Sequence, residues 1–330
     1  MPLADFDYDL PAAAIAQTPV EPRDAARLLV DRGPGTSPDH RHVRDLPDLV
    51  QPGDLVVVNE TRVIPARLRV HRATGGAAEV LLVEPAGDGT WLALVRPSAK
   101  LRDGEVLAHA DGTPLVEIGA RVGAQRVVRL LVPDVGLQRY GDVPLPPYIT
   151  ATLDDPERYQ TVYARLPGSV AAPTAGLHLT PAVLGALAER DVTVAAVELV
   201  VGLDTFKPVT ADDPADHRMH SERYRVPAET MAACRHARRV VAVGTTTVRA
   251  LESAAATGEL SGRTTLFVRR PYPWQLVDVL LTNFHLPRTT LLMMIDAFVG
   301  PRWRDLYETA LADGYRFLSF GDAMLLERAA

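Results

Sequence analysis

Five stretches of the chain join residues able to move protons or grip anions to backbone that could present them. The first is Asn59-Glu60-Thr61-Arg62, running on to Arg67 directly behind an apolar stretch at 55–58. Ligands gather beyond strand ends in α/β sheets, and amide, hydroxyl and guanidinium groups there could hold a carboxylate or other anion. A polar junction between domains would look the same. The second stretch, 168–178, sets Pro173, Thr174 and Gly176 ahead of His178. Small residues let backbone come close to a ligand, and His178 could act as a general base or simply tie a hydrogen-bond network. In the third, His217-Arg218-Met219-His220-Ser221-Glu222, an imidazole near a carboxylate is the usual pairing for proton transfer at neutral pH. His220 and Glu222 are therefore acid–base candidates, with a surface ion pair as the plainer alternative. His217 and His220 could share a metal on a helix, but no third ligand is fixed, so no metal is expected.

The fourth stretch takes an apolar run, 240–243, into Gly244-Thr245-Thr246 and on through Arg249 to Glu252. Backbone N–H groups, hydroxyls and a helix dipole would converge there and favour an anion; an ordinary strand-to-helix turn has the same appearance. It is not a phosphate-binding loop of the Gly-Lys-Ser/Thr kind, having no lysine. The fifth, Thr282-Asn283-Phe284-His285, is another polar strand end facing a helix start.

These segments must be positioned by two kinds of texture. Residues 62–132 hold six short alternating runs, at 66–73, 79–84, 91–95, 105–109, 115–118 and 125–132. Turn signals such as Gly87-Asp88-Gly89 and Asp111-Gly112 separate them, which predicts a small antiparallel barrel, or else a sandwich. From about residue 168, strand and helix patterns alternate. Thr180-Pro181 opens a helix, since the hydroxyl can accept from a free N–H and proline needs no donor there. The run 192–201 reads as a strand buried on both faces, and 264–268 as another strand. The expected class is α/β: a mixed, largely parallel sheet with flanking helices, interrupted by an inserted six-stranded antiparallel β-barrel. The expected boundaries are 1–61 with 145–330 for the α/β domain and 62–144 for the barrel.

Composition narrows the function classes. The 330 residues carry a net charge of −6, which does not announce a nucleic-acid binder. Residues 61–140, however, hold eleven basic against eight acidic residues. Lys100 and Lys207 are the only lysines among 35 basic residues; arginine suits phosphate because its planar fork donates two parallel hydrogen bonds, although genomic bias also enriches it. The single cysteine, Cys234, excludes an internal disulfide and a cysteine-built zinc or iron–sulfur centre, and in its helical setting it reads as packing. The first ten residues are acidic where a signal peptide needs basic ones, and no apolar run is long enough to span a membrane. A cytoplasmic protein is the expectation.

Taken in order, these stretches resemble the S-adenosylmethionine:tRNA ribosyltransferase-isomerase family over nearly the whole chain. Further matching segments are Phe6-Asp7-Tyr8-Asp9-Leu10-Pro11, Arg27-Leu28-Leu29-Val30, Leu145-Pro146-Pro147-Tyr148-Ile149, Tyr159-Gln160-Thr161-Val162-Tyr163 and Gly321-Asp322-Ala323-Met324. The resemblance implies an α/β domain interrupted by a small barrel. It also implies transfer and isomerisation of the ribosyl part of S-adenosylmethionine onto 7-aminomethyl-7-deazaguanine at the tRNA wobble position. The products would be epoxyqueuosine-tRNA, adenine and methionine. S-adenosylmethionine is then co-substrate, no metal is expected, and the partner is tRNA bearing that base. A monomer is expected, with an oligomer left open.

On that reading His178, His220 and His285 with Glu222 form the proton-transfer pool. Asn59, Arg62, Thr245, Thr246 and Arg249 would hold the methionine carboxylate or an RNA phosphate. Thr61, Arg67, Pro173, Thr174, Gly176, Gly244, Glu252, Thr282 and Asn283 complete the substrate-binding candidates. The chain departs from the family pattern at Val200 and Asp204, where a histidine and a glycine are usual, and at Arg270-Pro271. Those departures leave two alternatives: a paralogue using S-adenosylmethionine on another amine, or a non-catalytic RNA-binding protein of the same fold.

Overall fold

The near-continuous apolar runs at 55–58, 240–243 and 279–281 become neighbouring strands buried on both faces, at the centre of a nine-stranded sheet. A computed structural model describes residues 2–329 apart from 203–208, 210, 212 and 218. The sheet strands are β1 (Arg27–Asp31), β2 (Asp39–His42), β3 (Leu55–Asn59), β4 (Thr193–Leu199), β5 (Glu222–Arg225), β6 (Val240–Val243), β7 (Ser261–Thr264), β8 (Val279–Asn283) and β9 (Ala323–Glu327). Their order is β7-β5-β4-β3-β6-β8-β9-β1-β2. The four central strands, β4, β3, β6 and β8, run parallel. β9 is antiparallel to β8 and parallel to β1, while β5, β7 and β2 pair antiparallel on the flanks. The sheet is mixed, as expected, with its parallel part at the centre.

Helices cover the sheet: α1 (Pro181–Ala188), α2 (Ala228–His236), α3 (Thr245–Thr257), α4 (Thr290–Val299) and α5 (Trp303–Ala312). Successive strand residues point to opposite faces, so Val56, Val58, Val241, Val243, Val279 and Leu281 meet Leu179, Val183 and Leu187 in one core. Thr180 caps α1 as predicted, accepting from the Val183 amide at 3.2 Å. Cys234 is buried in α2, and desolvation pushes its thiol up to about 11, consistent with packing.

Two expectations change. The strand predicted over 264–268 ends at Thr264, because side chains take the next backbone groups: Thr264 Oγ1 accepts from the Leu266 amide and the Arg249 Nε donates to the Leu266 carbonyl. His217, Met219 and His220 are not helical, so the spacing of the two histidines has no helical meaning; Glu222 instead opens strand β5.

The chain divides into two compact units, one of Met1–Arg62, Pro146–Leu166 and Ala172–Ala330, the other of Val63–Leu145 with Pro167–Ala171. The second unit contains the barrel: Arg67–His71, Ala77–Gly87, Thr90–Arg96, Gln125–Leu130, Pro114–Val122 and Val106–Ala108 neighbour one another antiparallel in that order. Pairing of His71 with Ala108 closes the ring. Alternation fills the inside with Leu68, Val70, Val80, Leu82, Val95, Leu107, Val116, Ile118 and Val128. The turn at Asp88-Gly89 has φ of 49° and 70°, the doubly positive geometry whose twist suits a two-residue hairpin.

Candidate active site

Strand register builds the site. Val58, Val243 and Leu281 lie in one row across β3, β6 and β8, so the next residue of each strand brings Asn59, Gly244 and Thr282 together at the carboxyl ends. Asn59 is buried and fully used: its amide donates to the Leu199 carbonyl (3.0 Å) and to Thr246 Oγ1 (3.3 Å), and its oxygen accepts from the Leu199 and Thr61 amides. The Thr61 hydroxyl donates to the same carbonyl. These two residues stitch the ends of β3 and β4 and steady Thr246.

Gly244 has φ +89°, a conformation side chains rarely adopt, and it swings the chain from β6 into α3. As the N-cap it brings no side-chain acceptor, so the first amides of a thirteen-residue helix remain available to an anion. They open into a first cleft. Gly244, Thr245 and Thr246 form one wall, Thr282, Asn283 and His285 the next, and Pro173 and Thr174 a third. Tyr148 and Ser319, joined by a 2.7 Å hydrogen bond, line it too. Tyr148 belongs to a recognisable motif, but nothing in the sequence marks Ser319.

The histidines of this region are held neutral. Asn283 accepts from the Thr174 hydroxyl at 2.9 Å and donates to the Asp322 carbonyl at 3.3 Å, which fixes its amide so that it also donates to His178 Nε2 at 3.0 Å. That nitrogen is therefore the acceptor of a neutral ring. Burial, above all, pulls His178 down to about 4. It borders a small hollow with Arg23 and Arg158 and does not line the first cleft. His285 does line it; its Nε2 pairs with Thr282 Oγ1 at 3.1 Å, and burial takes the ring to about 3.

A second cleft holds His217, His220, Glu222 and Arg249. Leu291 lines both clefts. Arg249 pairs with Glu222, both buried, while Glu222 Oε1 accepts from the Gly202 amide. His220 is exposed at the rim. Phe267 also faces this cleft, because the chain has left β7 by that point.

The remaining candidates stand elsewhere. Glu252 is fully buried and accepts from the Gln275, Leu276 and Val277 amides, each at 3.0 Å, and from the Tyr272 hydroxyl; it anchors a segment and lines neither cleft. Gly176 permits close approach, since a Cβ there would meet the Tyr163 hydroxyl at 1.9 Å. Arg62 pairs with Glu157 at the surface, and Arg67 is a barrel residue, 3.9 Å from Glu79. Of the departures, Val200 and Arg270 line neither cleft; Asp204 lies outside the described residues. Among the described residues no group of three or more His, Cys, Asp or Glu could hold a metal, and no helix is long and apolar enough to cross a membrane.

Comparison with known proteins identifies the family. The family model described as "Queuosine biosynthesis protein" matches residues 3–326. The S-adenosylmethionine:tRNA ribosyltransferase-isomerase of Synechococcus elongatus is 49% identical, covering 97% of this chain and 94% of that protein. The protein of the same name from Rubrobacter xylanophilus is 50% identical over 98% and 96%, and that from Anaeromyxobacter sp. 51% over the full length of both. The crystal structure of S-adenosylmethionine tRNA ribosyltransferase from Thermotoga maritima is 36% identical, with a TM-score of 0.57 and coverage of 98% and 99%. From its ordered motifs, its fold and these relatives alike, the chain belongs to the queuosine biosynthesis protein family.

Proposed function

We propose that this enzyme transfers and isomerises the ribosyl moiety of S-adenosylmethionine onto 7-aminomethyl-7-deazaguanine at the wobble position of tRNA. Epoxyqueuosine-tRNA, adenine and methionine are the products. The observation that carries the reading is the uncapped N-terminus of α3, opening into the first cleft one turn ahead of Arg249. The amides of Thr245 and Thr246 suit the methionine carboxylate. Apolar side chains share the lining of that cleft with hydroxyl, amide and neutral imidazole groups, and no charged side chain lines it, which leaves a sulfonium unopposed by nearby protein cations.

The sulfonium acidifies carbon 5′ of the sugar, so a positioned base can start the loss of adenine; the substrate amine then attacks the sugar fragment, and ring closure expels methionine. A useful base at neutral pH must bind its proton near that pH. His178 and His285, pulled to about 4 and about 3, bind protons too weakly and act as neutral hydrogen-bonding groups. His220, exposed beside the second cleft, is the base on this reading. Glu252, Asn59 and Thr61 are positioning residues. The reaction runs in the cytoplasm, needs no metal, and draws every group named here from one copy of the chain.

The test is incubation with S-adenosylmethionine and tRNA that either carries or lacks the deazaguanine base. Adenine and methionine release only with the modified tRNA is expected. Release without it would mean another amine acceptor, and binding without turnover would mean a non-catalytic protein.

A further inference from the structure

The outermost pair of strands, β5 and β7, carries a cluster of positive charge on its open face. Strand register sets Arg223 of β5 directly opposite Arg263 of β7, and Arg225 opposite Ser261. Glu222 and Tyr224 alternate with these arginines and are buried, so Arg223, Arg225 and Arg263 stand together on the exposed face. Like charges directly opposite one another destabilise a strand pair, and an anion lying between them removes that cost.

The three guanidinium groups are not equivalent. Arg225 is matched by Glu198 at 2.9 Å. Arg263 is braced by its neighbour on β5: its Nε donates to the Ser221 hydroxyl at 2.8 Å and its Nη2 to the Ser221 carbonyl at 3.0 Å. Arg223 is exposed, and its side chain makes no ion pair or hydrogen bond among the described residues. Ser221 adjoins His220 in sequence, and His220 lines the second cleft. A fourth exposed guanidinium, Arg269, lies over the Phe267 ring of that cleft, 5.7 Å from its centroid, and extends the positive surface to it. Residues on one face of a strand recur about every 6.6–6.8 Å, comparable to the spacing of successive phosphates along a nucleic-acid strand. Arginine's planar fork suits phosphate oxygens.

We propose that the β5–β7 face is a docking surface for the tRNA backbone, on which Arg223 and Arg263 together grip a phosphate close to the nucleoside being modified. This rests on the reading of tRNA as the partner and adds which face of the chain the RNA meets.

Binding of tRNA lacking the deazaguanine base to the full chain, at stepped salt and without S-adenosylmethionine, tests the surface apart from turnover. Replacing Arg223 and Arg263 together with glutamine should weaken binding about tenfold or more and make the slope of log affinity against log salt shallower by about one. Lysine at both positions keeps the charge and should recover part of the affinity, which separates a lost phosphate contact from a disturbed strand pair. With modified tRNA, the glutamine variant should raise KM for tRNA and leave kcat near that of the parent. Affinity and salt slope unchanged in the glutamine variant would overturn the proposal. So would unchanged tRNA binding beside weakened binding of a poly-glutamate probe, which would make the face a site for an acidic protein. Ribosyl transfer persisting beside an unchanged affinity would show that the reaction stands and the surface does not; weakened tRNA binding by the variant, with no transfer by the parent, would show the reverse.

Discussion

At the residue scale, what decides each candidate's part is how many of its hydrogen-bonding atoms the fold has already consumed. His178 and His285 are buried and neutral, whereas an unfolded chain would protonate both below about pH 6.5. Their native values lie at about 4 and about 3, so the unfolded state binds more protons in the interval between. Stability therefore falls as pH drops from about 6.5, and His178 alone accounts for about 3 kcal/mol of the loss by pH 4. Denaturant titrations at stepped pH should show that slope, and His178→Gln should flatten it; an unchanged slope would contradict the neutral ring. His220→Ala should slow adenine release by about 10²–10⁴-fold, while His285→Ala, losing only a neutral partner of Thr282, should cost less. The reverse order in single-turnover assays would transfer the role of base to His285.

At the element scale, the site exists because parallel strands end in register and a glycine turns one of them into a helix. The motif 244–252 was legible as a strand-to-helix turn because Gly, Thr and the apolar run before them dictate it locally. Glu252 was not legible as an anchor, because its partners, the amides of 275–277, lie more than twenty residues away and are backbone atoms of no particular residue type. The early end of β7 was hidden for the same reason: Arg249 intercepts the Leu266 carbonyl from α3. Glu252→Gln turns an acceptor into a donor facing buried amides and should cost about 2–3 kcal/mol. Thermal unfolding would register it as a lowered midpoint, and a midpoint within error of the parent would show that the segment is held by other interactions, such as Trp274 Nε1 donating to the Ala297 carbonyl.

At the scale of the whole molecule, the six barrel strands and the mixed sheet could be read from alternation and turn chemistry, since each strand's pattern is local. What alternation could not give was β1, β2, β5 and β9: these are short, and three carry polar or mixed residues whose burial is set by neighbours. The barrel's exposed Arg96, Lys100 and Arg102 enter no ion pair among the described residues, which makes them natural partners for phosphates. Replacing the three with glutamine should weaken tRNA binding evenly across sequences and make the slope of log affinity against log salt shallower by about one for each phosphate no longer neutralised. A flat salt response in the parent would remove the barrel's basic side chains from tRNA binding. The fate of the sugar is the most direct readout of the reaction. S-adenosylmethionine labelled in its ribose carbons, mixed with the enzyme and tRNA bearing the aminomethyl deazaguanine, should place the label in the wobble nucleoside, with one adenine and one methionine freed for each label transferred. Label staying in a small molecule such as S-adenosylhomocysteine, with the tRNA unlabelled, would contradict it.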